Sequence, residues 1–182
     1  MARKPRLSKE RSMRPNFFVF CEGDTEVKYV EILRSHYRRP VHVIAKKTLL
    51  NITPALVERC KANYMLTNSD CTFLMYDLDV SSMLERLKKI PDAILICSNP
   101  CFEIWLLLHV KEHKTAISTD ALIRELRDSA DVWQNYEKSF FSDTQKTFLL
   151  NNTEAAIGRA TNLEEFKNPS TGIYKLIEML RG

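Results

Sequence analysis

The stretch Asn16-Phe17-Phe18-Val19-Phe20-Cys21-Glu22-Gly23-Asp24 contains the features from which the fold can be predicted. Its uninterrupted apolar and aromatic run, residues 16–21, is typical of a strand that is buried on both faces. Glu22 and Gly23 end the run, and Asp24 is a suitable cap for a helix whose apolar residues recur at near-helical spacing to about Tyr37. The stretch therefore predicts a strand, a tight turn and a helix.

The same strand-then-helix unit is repeated three more times along the chain. Strands are predicted at 41–45, 72–76 and 93–97, and helices from Thr53 to about Met65, from Ser82 (with Glu85 at capping-box spacing) to about Lys89, and from Asn99-Pro100 through His109. Strands that alternate with helices indicate a parallel sheet covered on both faces. We therefore predict an α/β fold with a four-stranded parallel sheet flanked by helices.

Beyond Lys111 the pattern changes, because no further apolar, β-branched run follows. Helices are predicted to start near Thr119, Ser142, Thr153 and Gly172. We therefore expect three parts: a basic, flexible leader (1–16), an α/β core (17–111) and a C-terminal helical extension (112–182) docked on that core.

The leader accounts for the positive charge of the chain. The formal net charge is +4, but residues 1–16 hold six basic residues and one acidic residue, so the rest is close to neutral. Such an arm could contact the phosphates of a polyanion, or it could be a solvated terminus that aids solubility. Both interpretations remain open from sequence alone.

Cysteine usage and hydropathy predict the compartment. The five cysteines form an odd number without a Cys-x-x-Cys pair, which is typical of reduced thiols in a cytosolic core. The longest apolar run, Ile104–Leu108, is far too short to span a bilayer. We expect a cytoplasmic protein without a membrane segment.

Four acidic residues follow the predicted strands. Glu22 closes the first strand, Asp77 and Asp79 close the third, and Glu103 lies just past the fourth. The carboxyl ends of parallel strands meet at one edge of a sheet, where ligands bind, and clustered carboxylates favour a hard cation such as Mg²⁺. Acidic residues after strands also serve as helix caps and loop solvators, and for an isolated Asp-x-Asp pair that is the commoner role.

Longer motifs resemble known families. Glu22-Gly-Asp-Thr-Glu26 followed by Asp77-Leu-Asp79 resembles the signature of toprim domains, which carry out magnesium-dependent phosphoryl transfer. The stretch from Ser98 to His109, together with Asn168-Pro-Ser-Thr171, resembles the RloB family. The resemblance extends over nearly the whole chain from Phe17 onward and implies a toprim-like, Rossmann-like fold with a nuclease-type metal site.

The resemblance also implies roles for individual residues. Glu22 would be the general acid/base, Asp77 and Asp79 would hold Mg²⁺, or Mn²⁺ in its place, and Glu22 would take part in the same site. Glu103 and Lys138 match positions in the family motifs. Glu103 could be a further metal ligand and catalytic residue, or it could orient its helix. Lys138 could stabilise charge on a phosphate, or it could be a solvated lysine.

The activity implied is hydrolysis of nucleic acid, either DNA or RNA including tRNA. The family is associated with bacterial anti-phage and abortive-infection systems, often beside an ATPase of the ABC or AAA type, so such a partner is expected; a homo-oligomer stays open. The alternative is a non-catalytic sensor or effector subunit that binds a partner ATPase or a phage component. Topoisomerase-like strand transfer is disfavoured, because no tyrosine stands out as a nucleophile.

Overall fold

The computed structural model describes residues 14–45, 52–80 and 82–182. The predicted leader (1–16) therefore lies almost wholly outside the described residues. The elements, in chain order, are β1 (Phe17–Cys21), α1 (Asp24–Tyr37), β2 (Val41–Ala45), α2 (Pro54–Lys61), β3 (Cys71–Met75), α3 (Met83–Leu87), β4 (Ala93–Leu95), β5 (Ser98–Asn99), α4 (Glu103–Val110), α5 (Thr119–Ser129), a 3₁₀ helix (Asp131–Trp133), α6 (Asp143–Asn151), α7 (Thr153–Ala160), β6 (Ser170–Thr171) and α8 (Tyr174–Arg181).

A four-stranded, all-parallel sheet in the order β2-β1-β3-β4 forms the centre of the fold. This confirms the α/β fold with a four-stranded parallel sheet that the sequence predicted. In register, Phe17 is paired with Val41 on one side and with Cys71 on the other, so β1 is an interior strand. Interior parallel strands carry continuous apolar runs because helices cover both of their faces.

The side chains of β1 divide between two cores because successive residues of a strand point to opposite faces. Phe17, Val19 and Cys21 belong to the larger core, which also includes α1 and most of the C-terminal helices. Phe18 and Phe20 belong to the smaller core beneath α2 and α3. All five β1 residues are buried, as the aromatic run predicted.

Helix α4 is the centre of the larger core. Its residues Ile104–Leu108 are all buried, which fits a helix that is apolar around its whole circumference. Helices α5 and α7 pack directly against it, and the core also includes Leu122, Trp133 and Ile177 from the C-terminal half. Side chains from before and after residue 111 thus share one core.

Three local predictions were wrong. Asp24 does not cap α1, because the N-cap residue is Gly23 and Asp24 is already the first residue of the helix. Beyond Lys111 we expected helices only, but Ser170–Thr171 forms an antiparallel pair with Ser98–Asn99, and the Ser98 and Thr171 hydroxyls lie 2.9 Å apart. Two residues are too few to produce a periodic pattern. The capping box predicted at Ser82 does not form, since the Ser82 side chain makes no capping hydrogen bond.

Other sequence signals are matched by the structure. Thr53 caps α2 by accepting a hydrogen bond from the Leu56 amide at 3.2 Å, and Ser142 forms a capping box with Gln145. All five cysteines are free thiols. Among the described residues, no helix has both the length and the apolar character needed to cross a membrane.

Gly172 provides a first prediction, because it packs against the backbone of the main sheet. Its amide donates to the Cys97 carbonyl at 2.9 Å, and a Cβ at this position would lie 3.1 Å from both Ile96 Cα and the Leu95 carbonyl oxygen. Gly172→Ala must displace backbone atoms, so we expect it to lower the free energy of unfolding in urea by about 1–3 kcal/mol.

Gly158 in α7 is the matched control, since a Cβ there would meet no atom within 4 Å. Gly158→Ala should raise the free energy of unfolding by about 0.5–1 kcal/mol, because alanine restricts the unfolded chain. Equal effects of the two substitutions would contradict the close approach at Gly172.

Candidate active site

The carboxyl edge of the sheet is extended beyond the last residues of its strands. Asp77 forms an isolated parallel bridge with Ser98, in which the Leu78 amide donates to the Ser98 carbonyl at 2.8 Å and the Ser98 amide to the Tyr76 carbonyl at 2.9 Å. On the other side, the Glu22 amide donates to the Met75 carbonyl at 3.2 Å. These backbone bonds fix Asp77 between the chain that follows β1 and the chain that follows β4.

Glu22 and Asp77 are in direct contact. The backbone amide of Asp77 donates a hydrogen bond to Glu22 Oε2 at 3.1 Å. Burial raises the pKa of Glu22 above its ordinary value, and nearby Asp79 adds to this, although the Asp77 amide works in the opposite direction. Glu22 is therefore a carboxyl group that the backbone holds in place and that keeps its proton to a higher pH than an ordinary glutamate does.

Glu26, which sequence reasoning did not assign to the site, lies in the first turn of α1 and is only 5% exposed. Burial, followed by the charges of Glu103 and Glu22, raises its pKa to about 7. Gly23 makes room for it, because a Cβ at that position would lie 2.6 Å from Glu26 Oε2. The available signal was the motif Glu22-Gly-Asp-Thr-Glu26, which places Glu26 in the first turn of the helix that begins just after Glu22.

Glu103 is the first residue of α4 and is almost completely buried, at 1% exposure. Its Oε1 accepts a hydrogen bond from the Tyr136 hydroxyl at 3.0 Å and lies 3.5 Å from Lys138 Nζ. Burial and the Glu103 charge raise the pKa of Tyr136, so its hydroxyl stays a donor. Tyr136 has no sequence motif that connects it to Glu103 and was not predicted.

Lys138 supplies positive charge to the carboxylates. Partial burial lowers its pKa, but Glu103 and Asp77, together with Cys101, outweigh this, so the pKa is raised overall and the ammonium stays charged. The following amide, that of Ser139, donates to the Thr25 hydroxyl at 2.9 Å. This bond ties the Lys138 loop to the start of α1, next to Glu26.

Asp77 is the most strongly perturbed of the carboxyl groups. Burial and the charges of Glu26, Glu103 and Glu22 raise its pKa to about 9, although Lys138 opposes the shift. Four carboxyl groups therefore lie within electrostatic range of one another around Asp77. Like charges crowded in a partly dry site favour protonation unless a cation is present among them.

The structure thus brings together four of the five predicted site residues: Glu22, Asp77, Glu103 and Lys138. Asp79 is placed differently, because the chain after Asp77 no longer follows the strand. Asp79 is exposed and its charge acts on Glu22. The carboxyl groups that raise the pKa of Asp77 are instead those of Glu22, Glu26 and Glu103.

The carboxylate oxygens of this cluster are ligands of the type that a hard divalent cation prefers, although they are not already arranged around a metal position. The described part of the chain holds no group of three or more His, Cys, Asp or Glu side chains already arranged around a metal position. Mg²⁺ keeps several of its waters and binds through one or two carboxylates, so such an arrangement is not required. Burial is the largest cause of the raised pKa values of Asp77 and Glu26, and the charges of neighbouring carboxylates add a repulsion that a cation would relieve.

Comparisons with known proteins gave one match. A family model described as RloB-like protein matches residues 17–180, as the motifs from Glu22 to Thr171 led us to expect. No curated protein and no solved structure matched the chain significantly.

Proposed function

The chain belongs to the RloB-like protein family, and from this membership and the carboxylate cluster we propose that it is a metal-dependent nuclease. The observation that carries the proposal is the crowding around Asp77. Burial, followed by the charges of three glutamates, raises the pKa of that carboxyl to about 9, and Lys138 opposes the shift. Perturbed carboxyl groups that converge in one place are typical of catalytic sites.

The proposed metal is Mg²⁺, or Mn²⁺ in its place, held by Glu22, Asp77, Asp79 and Glu103. When bound, such a cation supplies positive charge to phosphate oxygens and lowers the pKa of water. All of these ligands are oxygen donors, which is the type that Mg²⁺ prefers. Asp79, being exposed, would approach from the solvent side.

The protein's own groups have distinct roles in the proposed reaction. Glu22, oriented by the Asp77 amide and with a raised pKa, would take a proton from the attacking water and return it to the leaving oxygen. Lys138 would stabilise the charge that develops on the phosphate. Tyr136 positions the Glu103 carboxylate through the bond between its hydroxyl and Oε1. Glu26, with a pKa near 7, would hold or release a proton as the local charge changes.

The proposed substrate is DNA or RNA, tRNA included, and the proposed setting is bacterial anti-phage defence with toxic cleavage as the outcome. A partner ATPase of the ABC or AAA type would supply energy or the trigger. Both the setting and the partner follow from what RloB-like resemblance implies. The basic residues of 1–16 would add phosphate contacts.

The test is a cleavage assay with the purified full chain on fluorescent DNA and RNA oligonucleotides. We expect cleavage with Mg²⁺ or Mn²⁺ and none in EDTA, because charge on the phosphate would be left uncompensated in a cluster of carboxylates. Cleavage that is equally fast in EDTA would contradict the proposed mechanism. No cleavage with metal, with or without a partner ATPase, would contradict the assignment as a nuclease.

A second candidate is the non-catalytic sensor or effector subunit, and one observation favours it. The Glu103 carboxylate is already engaged by Tyr136 and Lys138, as in a structural network. Calorimetric titration distinguishes the two functions. Mg²⁺ binding that is lost when Asp77 is replaced favours the nuclease, and no measurable binding favours the subunit.

A further inference from the structure

A groove of about 660 Å³ lies along α1, beside the loop that carries Lys138. Its lining is mainly apolar and includes Ile32 from α1, Phe140 and Phe141 from the loop, and Leu150 from α6. Lys28 and Lys146 lie on its walls. The nuclease reaction proposed above makes no use of this groove.

Phe140 is the most unusual residue of the groove, because its ring is presented to solvent. It is 59% exposed, whereas its neighbour Phe141 is buried. Ser139, which precedes it, has φ 66°, a left-handed conformation that a residue with a Cβ adopts at a cost. The hydrogen bond from the Ser139 amide to Thr25 Oγ1 at 2.9 Å holds this turn. The backbone is therefore fixed in a shape that exposes an aromatic ring.

The same turn connects the groove to the carboxylates. Lys138, two residues before Phe140, lies 3.5 Å from Glu103. A group that sits on Phe140 is thus only a few residues of chain away from the proposed reaction centre. The turn is hydrogen-bonded to Thr25, and Thr25 is next to Glu26 in the first turn of α1, so the same helical turn positions both the Phe140 loop and one of the carboxylates.

The walls of the groove carry two lysines, Lys28 and Lys146, and one acidic residue, Glu31. Lys28 pairs with Glu31 at 3.0 Å and Lys146 with Asp143 at 2.8 Å, each three residues apart on a helix. Such exposed pairs contribute little stability, so exchanging the carboxylate for a phosphate costs little. An exposed ring in a groove that also holds two lysines combines the two elements with which proteins bind single-stranded nucleic acid: a stacking platform and cations for the phosphate backbone.

We propose that this groove is a nucleobase subsite, in which Phe140 stacks on an unpaired base of the strand that enters the carboxylate site. The inference rests on the proposed nuclease function and specifies its substrate as single-stranded or locally unpaired nucleic acid. A base within a duplex is already stacked and paired, so it cannot reach the ring without being extruded. Lys28 and Lys146 contact the flanking phosphates.

The subsite can be tested by binding, without cleavage. Fluorescence anisotropy in EDTA would compare a labelled single-stranded oligonucleotide, the matching duplex and a strand of the same length whose sugars carry no bases. Phe140→Ala should weaken binding of the single strand roughly 5- to 100-fold, the loss expected for one stacked base. Phe140→Trp should retain it, and Met65→Ala, which removes another exposed apolar side chain, is the matched control.

The baseless strand gives the sharpest comparison. Wild-type protein should bind it more weakly than the normal strand, whereas Phe140→Ala protein should bind both equally, because the two changes remove the same contact. Equal loss of affinity for all three probes, or no loss, would overturn the subsite. So would a wild-type dimer that Phe140→Ala converts to a monomer without affecting nucleic-acid binding, since the groove would then be a protein interface.

Failure of the subsite and failure of the nuclease give different results. If wild-type protein cleaves with Mn²⁺ but Phe140→Ala binds and cuts a single strand normally, the nuclease stands and the subsite does not. If Phe140→Ala loses single-strand binding although no variant cleaves, the subsite stands without the nuclease.

Discussion

Asp77→Asn protein is expected to melt at a higher temperature than wild-type protein at pH 8 in EDTA, although it should no longer respond to Mg²⁺. Burial and three neighbouring carboxyl groups raise the pKa of Asp77 to about 9 in the folded chain, against about 3.9 in an unfolded one. Asparagine has the same shape and cannot ionise, so it removes the free-energy cost, present in the folded state at pH 8, of keeping the buried Asp77 carboxyl protonated or of ionising it beside the other carboxylates.

The pH dependence has a definite sign. Between about pH 4 and pH 9 the folded protein binds more protons at Asp77 than the unfolded chain does. The stabilisation is therefore fully present below the unfolded pKa and is lost as the pH rises through the folded pKa. Glu26, with a pKa of about 7, acts in the same direction over a narrower range. Wild-type stability in EDTA should fall from pH 5 to pH 9, and Asp77→Asn should flatten this fall.

The measurement is a thermal melt at a series of pH values with and without Mg²⁺. Each kcal/mol of relieved repulsion raises the Tm of a protein of this size by roughly 2–4 °C, so the variant should gain at least about 4 °C at pH 8 in EDTA. Saturating Mg²⁺ should stabilise the wild type, by about 2.7 kcal/mol at a concentration one hundred times the Kd. The variant should gain much less, because it has lost a ligand.

Asp24→Asn is the matched control, because Asp24 is an exposed carboxyl in the first turn of α1, the helix that carries Glu26. It should leave both the pH dependence and the Mg²⁺ response as in the wild type. An Asp77→Asn protein that melts lower than the wild type, with an unchanged slope against pH, would show that the carboxylates are not crowded.

The parts of the fold that the sequence predicted are those governed by local pattern. The aromatic run of β1 indicates burial on both faces, and the uniformly apolar α4 indicates a helix at the centre of a core. The pairing of Ser98–Asn99 with Ser170–Thr171 was missed because it joins two-residue segments about seventy residues apart. The hydrogen bond from the Gly172 amide to the Cys97 carbonyl at 2.9 Å is a long-range contact that holds the second segment beside the first.

In the candidate site, too, some residues could be predicted from local pattern, whereas others are placed there by long-range packing. Glu22, Asp77 and Glu103 were predicted because the topology of a parallel sheet brings strand ends to one edge. Whether Glu26 faces the site depends on how α1 is rotated about its axis, and the position of Tyr136 depends on a loop that is placed by long-range packing. Neither residue could therefore be predicted from the ends of strands. Asp79 was expected to hold the metal together with Asp77, but it is exposed, because the chain leaves the strand after Asp77 pairs with Ser98.

Glu22→Gln protein is expected to lose nuclease activity by about 10²- to 10⁴-fold at saturating metal while it stays folded. The glutamine carbonyl can still accept the hydrogen bond that the Asp77 amide donates to Glu22 Oε2 at 3.1 Å. The backbone arrangement is therefore retained. A glutamine cannot take up or release a proton at neutral pH, so the variant isolates proton transfer from positioning.

Single-turnover cleavage against pH is the measurement that separates these contributions. The wild-type rate should rise with pH through a raised pKa of Glu22, because the carboxyl must be ionised to act as a base, and the residual rate of Glu22→Gln should lack that step. Glu58→Gln, the same substitution at an exposed carboxyl of α2, is the control and should cleave at the wild-type rate. A Glu22→Gln protein with near wild-type rates and the same pH profile would mean that another group is the base. Glu26 would then be the first to test, since its pKa of about 7 and its place in the first turn of α1, where the charge of Glu22 acts on it, suit the same role.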